Sequence, residues 1–155
     1  MKIDEIDLKI IAELKKDSRL SMRELGRKVN LSPPSVTERV KRLEDSGVIE
    51  GYTIQVNRKK LGFTIDCIIE VTIKNGEYKR FKEFIEQYPT ALSCYRIAGQ
   101  ACYMVMLTVS RLEEIEEFIN DVSAFATTLT HIIFSEVKIK NNLEAHTPLL
   151  RSDEK

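Results

Sequence analysis

Residues 22–41 read MRELGRKVNLSPPSVTERVK, and their pattern predicts two short helices separated by a tight break. Ser21 and Glu24 have the spacing of a capping box, in which the two side chains accept hydrogen bonds from each other's backbone amides at a helix start. Asn30 to Ser32 interrupts the helical pattern, and Pro33 suits the first position of the next helix, where its missing amide hydrogen does no harm. The stretch is therefore predicted to form a helix, a turn and a second helix.

A further helix is predicted before this stretch, because Asp4 can cap it and apolar residues follow at helical spacing. These apolar residues are Ile6, Ile10, Ile11 and Leu14. The last of the three helices is expected to extend to about Asp45, where Gly47 can end it in a left-handed conformation. Val48 to Val56 favours an extended strand, and Asn57 to Gly62 is predicted to be a linker.

From Phe63 onward the apolar pattern alternates between strand and helix spacing in the order strand, helix, strand, strand, helix, strand. The predicted strands lie near residues 67–73, 92–97, 102–109 and 131–139, and the predicted helices near 78–88 and 112–122. Ser110 to Glu113 is a second predicted capping box. This order is typical of the ferredoxin-like βαββαβ fold, in which both helices cover one face of an antiparallel sheet.

The predicted fold class is therefore α+β, with an N-terminal winged helix-turn-helix domain followed by a ferredoxin-like domain. The expected boundaries are residues 1–60 for the first domain with its hinge strand and 61–140 for the second. Residues 141–155 are expected to be a loosely ordered polar tail.

The 155 residues are 43% apolar and 31% charged, which is the composition of an ordinary soluble protein. No apolar run approaches the roughly 18 residues that a membrane helix needs, and the acidic N-terminus is unlike a secretory signal. A cytoplasmic location without membrane contact is therefore expected. The three cysteines have spacings that match no metal knuckle or disulfide framework, and they are expected to be packing residues.

The sequence contains few candidate catalytic residues. There is no Gly-rich phosphate loop, no HExxH and no CxxC, and the two histidines are His131 and His146. Cys94 or Cys102 could pair with His131 as a thiolate, but cysteines on predicted strands are more often packing residues. No enzyme activity, no metal site and no cofactor is therefore predicted.

Basic residues are concentrated in the first part of the chain, although the whole chain has no net charge. Residues 1–60 carry a net charge of +4, residues 61–155 one of −4, and residues 19–42 alone hold seven Lys or Arg with only two acidic residues. A basic helix-turn-helix segment suits double-stranded DNA, with the second helix of the motif in the major groove. The candidate DNA-binding residues are Arg23, Ser32, Pro34, Ser35, Thr37, Glu38, Arg39, Lys41 and Arg42.

Among these residues, Arg39 is the candidate for reading a base, whereas Lys41 and Arg42 are candidates for contacting phosphate. The residues alone leave two alternatives to DNA binding open. The basic side chains could be merely solvated on a small helical domain, or the helix-turn-helix could bind another protein.

The sequence resembles the Lrp/AsnC family, the leucine-responsive or feast/famine transcription regulators. The resemblance covers the opening (Ile3-Asp4 and Asp7 before Ile10-Ile11), the segment LSPPSVTERVKRLEDSGVI from Leu31 to Ile49, and the ferredoxin-like half. It implies an N-terminal DNA-binding domain, a hinge strand, and a C-terminal domain that dimerises and often assembles dimers into rings of eight. It also implies amino acids or related metabolites as effectors, bound in clefts between C-terminal domains.

One turn departs from the pattern that the resemblance implies. Where the family commonly has Gly-x-x-Asp followed by an aromatic residue, this chain has Gly99, Gln100, Ala101, Cys102 and Tyr103. A carboxylate there could pair with an amino-acid ammonium, whereas an ordinary thiol is mostly neutral at pH 7. These five residues and Thr130 are the candidate effector-binding residues, and a weak or unusual amino-acid response is expected.

The predicted function is a sequence-specific, homo-oligomeric DNA-binding transcription regulator, modulated by amino acids or related metabolites. Dimerisation is expected through the second domain's sheet, because alternate strand positions such as Ile68 leave an apolar face that its helices do not cover. One alternative is an effector-independent architectural protein that bends or wraps DNA. Another is a metabolite-binding or enzymatic ferredoxin-like domain with a helical appendage.

Overall fold

The computed structural model describes residues 3–137, which form two compact units, residues 3–55 and 56–137. Within these residues no helix is long and apolar enough to cross a membrane. The predicted tail at 141–155 lies outside the described residues.

The first unit contains three helices, α1 (Glu5–Lys16), α2 (Met22–Val29) and α3 (Pro33–Asp45). The predicted caps are confirmed, since Asp4 caps α1 within a capping box and Ser21 and Glu24 form the predicted box at α2. The three helices share one apolar core. Its buried members are Ile10, Leu14, Leu25, Val29, Val36, Val40 and Leu43.

The turn between α2 and α3 depends on a close backbone approach at Gly26. Asn30 adopts a left-handed conformation with φ of 57°, and Leu31 N–H donates to the Gly26 carbonyl at 2.9 Å. A Cβ on Gly26 would lie 2.6 Å from the Leu31 carbonyl oxygen, closer than carbon and oxygen can pack. The turn between α2 and α3 therefore leaves no room for a side chain at position 26.

Replacing Gly26 with Ala is expected to destabilise the first unit by about 1–3 kcal/mol, because the overpacked turn outweighs the better helix propensity of Ala. Chemical denaturation followed by circular dichroism measures this loss. Gly51→Ala is the matched control, since a Cβ at Gly51 meets nothing within 4 Å. Equal stability of the two variants would show that the close approach at Gly26 does not matter.

The prediction of a strand over Val48 to Val56 is wrong, because residues 50–57 belong to no helix or strand. An extended segment becomes a strand only when another strand supplies hydrogen-bond partners, and the described residues of the first unit are otherwise helices and turns. The predicted linker holds a short 3-10 helix, Arg58–Leu61. The Asn57 side chain caps this helix, and Gly62 ends it with φ of 95°.

The second unit confirms the predicted ferredoxin-like order. Its elements are β1 (Ile65–Ile73), α4 (Tyr78–Glu86), β2 (Ala91–Arg96), β3 (Tyr103–Val109), α5 (Glu113–Val122) and β4 (Ala126–Ile133). The strands form one sheet in the order β2-β3-β1-β4, in which every neighbouring pair is antiparallel. The doubly apolar β3 is central, as its sequence predicts.

Two local predictions in this unit are wrong. The last strand begins at Ala126 rather than His131, because β4 pairs along the whole of β1 from Ile73 opposite Ala126 to Asp66 opposite Ile133. Its early part, rich in β-branched threonine, suits a strand. The Ser110 hydroxyl and amide donate to Glu114 rather than Glu113, since α5 starts later than its capping pattern suggests.

Both helices pack against one face of the sheet. The buried residues on that side include Cys67, Ile69, Val71, Phe81, Val105, Leu107, Ile115 and Phe118. Strand register places Ile68, Glu70, Met104, Met106, Leu129 and His131 on the opposite side, which we call the open face. No helix among the described residues of this unit lies over the open face, and Leu129 there is 56% exposed.

Candidate nucleic-acid interface and effector turn

All the candidate DNA-binding residues except Arg23 lie on α3 or at its N-cap. Val36, Val40 and Leu43 are buried in the helical core, which fixes the side of α3 that remains outside. On that outer side every candidate residue is exposed except Arg39, which is half-buried. Arg23 is exposed at the start of α2. Each predicted residue is therefore at least partly accessible to a ligand.

Hydroxyl groups at the beginning of α3 are held by the helix itself. The Ser32 side chain accepts from the Ser35 amide at 3.3 Å, and the two serine hydroxyls lie 2.8 Å apart. The Thr37 hydroxyl donates to the Pro33 carbonyl at 2.7 Å. A hydroxyl oxygen keeps acceptor capacity while it donates, so these groups can still accept from base or water donors.

Two arginines of α3 form ion pairs with the first turn of α1. Arg39 Nη1 donates to both carboxylate oxygens of Asp4, at 2.8 and 2.9 Å, and to Asp7 Oδ1 at 2.8 Å. Arg42 Nη2 donates to the two Asp7 oxygens at 2.8 and 2.9 Å. Asp7 is completely buried, whereas the Arg39 and Arg42 side chains are 24% and 44% exposed. We call these four residues the α1–α3 ion cluster.

The ion cluster shifts the pKa values of Asp4 and Arg39. Burial opposes ionisation of Asp4, but hydrogen bonds from Arg39 and the Asp7 amide leave the pKa of Asp4 below its ordinary value. Hydrogen bonds to Asp4 and Asp7 raise the pKa of Arg39. All three of these hydrogen bonds come from Nη1 of Arg39. Its Nε and Nη2 groups make no hydrogen bond within the described residues.

Asp4 and Asp7 are site residues that sequence reasoning treated only as a helix start. One signal was available: both the acidic pair and the basic pair Arg39 and Arg42 are three residues apart, so each pair occupies one helix side. Spacing within a helix cannot show that two such sides face each other. That contact depends on how α1 crosses α3.

Lys41 and Arg23 differ from the two clustered arginines. Both are exposed, and no carboxylate among residues 3–137 forms a salt bridge with either of them. Their charges are therefore available to a polyanion without breaking an existing ion pair.

The candidate effector residues Gly99 to Cys102 connect β2 to β3, and Tyr103 begins β3. Cys102 is tied to its neighbours, since its amide donates to the Val71 carbonyl at 2.9 Å and its sulfur accepts from the Ile73 amide at 3.5 Å. The Tyr78 hydroxyl lies 3.7 Å from the same sulfur. This contact raises the pKa of Tyr78.

Two side chains near the turn escaped the sequence prediction. Tyr78 contacts Cys102, and the Arg96 guanidinium lies 5.4 Å from the centre of the Tyr78 ring. Tyr103 packs on Phe81 with ring centres 4.8 Å apart. Arg96 gives this region an exposed cation that can bind a carboxylate. The sequence pattern identified Arg96 only as a strand residue and did not indicate a role in ligand binding.

Thr130 lies apart from the turn. Register places Thr130 opposite Ile69 and Tyr103 opposite Val71, on strands that flank β1 from opposite sides. Two strand spacings separate them, about 10 Å. The buried Thr130 hydroxyl has no hydrogen-bond partner among the described residues. A single chain therefore does not bring the predicted effector residues into one cluster.

A basic helix-turn-helix unit and a ferredoxin-like unit on one chain define the class of two-domain helix-turn-helix proteins. Residues 3–50 match the family model for winged helix-turn-helix DNA-binding, and residues 66–143 match that for the Lrp/AsnC ligand binding domain. The chain belongs to the Lrp/AsnC family of transcription regulators, which confirms the resemblance seen in the sequence.

Individual relatives agree with this assignment. The HTH-type transcriptional regulator LrpC of Bacillus subtilis is 60% identical over 91% of this chain and 98% of its own length. Its solved structure superposes with a TM-score of 0.87 at 59% identity, covering 90% of this chain and all of that one. LrpA of the same organism is 37% identical over 86% of this chain and 99% of its own. The predicted fold class is thereby confirmed.

Proposed function

We propose that this regulator binds double-stranded DNA with the outer side of α3 in the major groove, and that it acts in the cytoplasm without catalysing a reaction. The observation that carries the proposal is the exposed polar side of α3, held in a helix-turn-helix by buried Val36, Val40 and Leu43. Lys41 and Arg23, which form no salt bridge among residues 3–137, supply cations for phosphate, and Thr37 and Glu38 supply polar groups for base edges.

Footprinting on genomic fragments tests this function. A helix-turn-helix dimer is expected to protect short sites whose centres repeat at about 10–10.5 base pairs, the spacing of successive major grooves on one side of DNA. Protection that spreads without a consensus would instead support architectural wrapping. Absence of any protection at low salt would contradict the proposal, because phosphate contacts are strongest there.

Homo-oligomerisation through the open face is part of the proposal. Leu129, Met104, Met106 and Ile68 form an apolar surface beside exposed Tyr95. Asp66 and Thr108 face each other across β1 and β3, and each has a buried oxygen without a partner among residues 3–137. A second copy would cover the apolar side chains, whereas these two oxygens are already buried within one chain and lie out of its reach. The ring of eight rests on the family resemblance.

An amino-acid effector is proposed from the ligand-binding domain that residues 66–143 match. The fold is shared at a TM-score of 0.83 and 24% identity with the Neisseria meningitidis regulator NMB0573, whose solved structure is a complex with L-Met. In the present chain Arg96 can donate hydrogen bonds to the carboxylate of an amino acid, but Cys102 offers its ammonium group only a thiol. Weak binding of ordinary amino acids is therefore expected.

Calorimetric titration with the twenty amino acids measures this weakness. Cys102→Asp is expected to tighten binding of at least one of them by roughly ten- to a hundredfold, because a charge-assisted hydrogen bond contributes about 1.5–3 kcal/mol. Cys102→Asn is the matched control, since it has the same shape without the charge. Low-micromolar binding by the unmodified protein, coupled to a change in DNA affinity, would show that Cys102 does not limit the response.

A further inference from the structure

The α1–α3 ion cluster has more structure than a helix cap requires. The Asp4 side chain caps α1 by accepting from the Asp7 amide at 2.9 Å, and Asp7 accepts from the Asp4 amide at 3.1 Å. Those two bonds complete the capping box. The five hydrogen bonds from Arg39 and Arg42 are additional, and they come from residues at least 32 positions away.

The cluster also removes cations from the surface that faces DNA. Two carboxylates and two guanidinium groups sum to no net charge, so α3 keeps only Lys41 as an exposed cation without a carboxylate partner among the described residues. The sequence-independent affinity of a protein for DNA phosphates depends on the number of available cations. Pairing Arg39 and Arg42 therefore lowers that part of the affinity.

The same pairing fixes how the arginines approach a ligand. Each is held by a single terminal nitrogen, Nη1 in Arg39 and Nη2 in Arg42, at 2.8–2.9 Å. A guanidinium group is planar and carries five N–H donors, so anchoring one nitrogen orients the remainder. Both side chains stay partly exposed, and their remaining donors are thus presented with less rotamer freedom to lose on binding.

We propose that Asp7, assisted by Asp4, is a positioning residue that raises the sequence specificity of α3. Its carboxylate offsets the charges of Arg39 and Arg42, which lowers their attraction to the phosphates of any DNA sequence. It also holds both guanidinium groups in one orientation, in which they can bind the specific DNA site. Asp7 makes this contribution without touching DNA. The inference rests on the proposed binding of DNA by α3.

The test compares Asp7→Asn with the unmodified protein on a footprinted site and on a scrambled duplex, each over 50–300 mM salt. Asp7 is the only carboxylate partner of Arg42 among the described residues, whereas Arg39 keeps Asp4. The freed Arg42 is expected to steepen the salt dependence on scrambled DNA by about 0.9 if it gains one phosphate contact, which is about eightfold in affinity at 0.1 M salt. Affinity for the footprinted site is expected to gain less. The ratio of specific to non-specific affinity therefore falls.

Two further variants keep this test decisive. Glu5→Gln makes the same change of net charge in the same turn of α1, at an exposed residue without a salt bridge in the described part of the chain, and it is expected to leave both affinities unchanged. Asp4→Asn serves if Asp7→Asn fails to fold, because Asp4 is 46% exposed and contacts only Arg39 of the two arginines. It is expected to steepen the salt dependence by about half as much.

A purely structural role for Asp7 predicts a different pattern. Both affinities would then fall by the same factor, with unchanged salt dependence, in proportion to the unfolded fraction seen by circular dichroism. That result would overturn the inference, and so would a flatter salt dependence. Failure of the unmodified protein to prefer its footprinted site would instead count against the proposed function.

Discussion

Leu129→Lys is expected to separate the oligomer into smaller species in sedimentation velocity at micromolar concentration. Leu129 is 56% exposed on the open face, where the proposal places the second copy. In the interface the lysine ammonium and the Glu70 carboxylate opposite it would both lose hydration, and this cost outweighs their mutual attraction, so the association constant is expected to fall by on the order of a hundredfold or more. Within one chain the change is mild, because the residue opposite on β1 is Glu70.

Leu112→Lys is the matched control for this experiment. Leu112 is 60% exposed but precedes α5 rather than lying on the open face of the sheet. Its substitution is expected to leave the sedimentation coefficient unchanged. If Leu129→Lys also sedimented like the unmodified protein, the open face would not be the interface between copies.

The double variant Arg23→Ala/Lys41→Ala is expected to weaken binding to all DNA sequences alike. Both cations are exposed and lack a carboxylate partner among residues 3–137, so each is free to displace a counterion from phosphate. Losing two contacts is expected to lower the magnitude of the salt dependence by about 1.8 and the affinity at 0.1 M salt by roughly sixtyfold.

Fluorescence anisotropy over a range of salt concentrations measures both quantities. Lys79→Ala/Lys82→Ala is the control for net charge, because it removes two exposed cations from α4 in the other unit, each 3.7 Å from a glutamate. A control effect as large as that of the double variant would mean that net charge, rather than the helix-turn-helix, determines affinity. An unchanged slope in the double variant would exclude these two residues as phosphate contacts.

The sequence predicts elements well where their signals are local. Capping residues and apolar spacing identified α1 to α3, and alternating patterns identified the order of the ferredoxin-like unit. The sequence predictions were wrong where a residue's secondary structure depends on a strand that is distant in the sequence. The start of β4 at Ala126 is set by its pairing with Ile73. Val48 to Val56 forms no strand, because no strand among the described residues pairs with it.

The same distinction between local and long-range signals applies to the candidate DNA-binding residues. Exposure of Thr37, Glu38 and Lys41 follows from helical periodicity, because Val36 and Val40 must face the core. The pairing of Arg39 with Asp4 and Asp7 depends on the crossing of two helices, which periodicity does not define. Arg39 is therefore better described as an anchored donor than as the free base reader that the sequence suggested.

The most direct test of DNA recognition by α3 is the ratio of affinities for a footprinted site and a scrambled duplex of equal length, measured at 0.15 M salt. Specific regulators typically show a ratio of about 10³ or more. The proposed base contacts predict a ratio in that range, which Thr37→Ala and Glu38→Ala lower for particular base pairs of the site. A ratio near one, together with strong binding to both duplexes, would contradict sequence recognition and favour architectural wrapping.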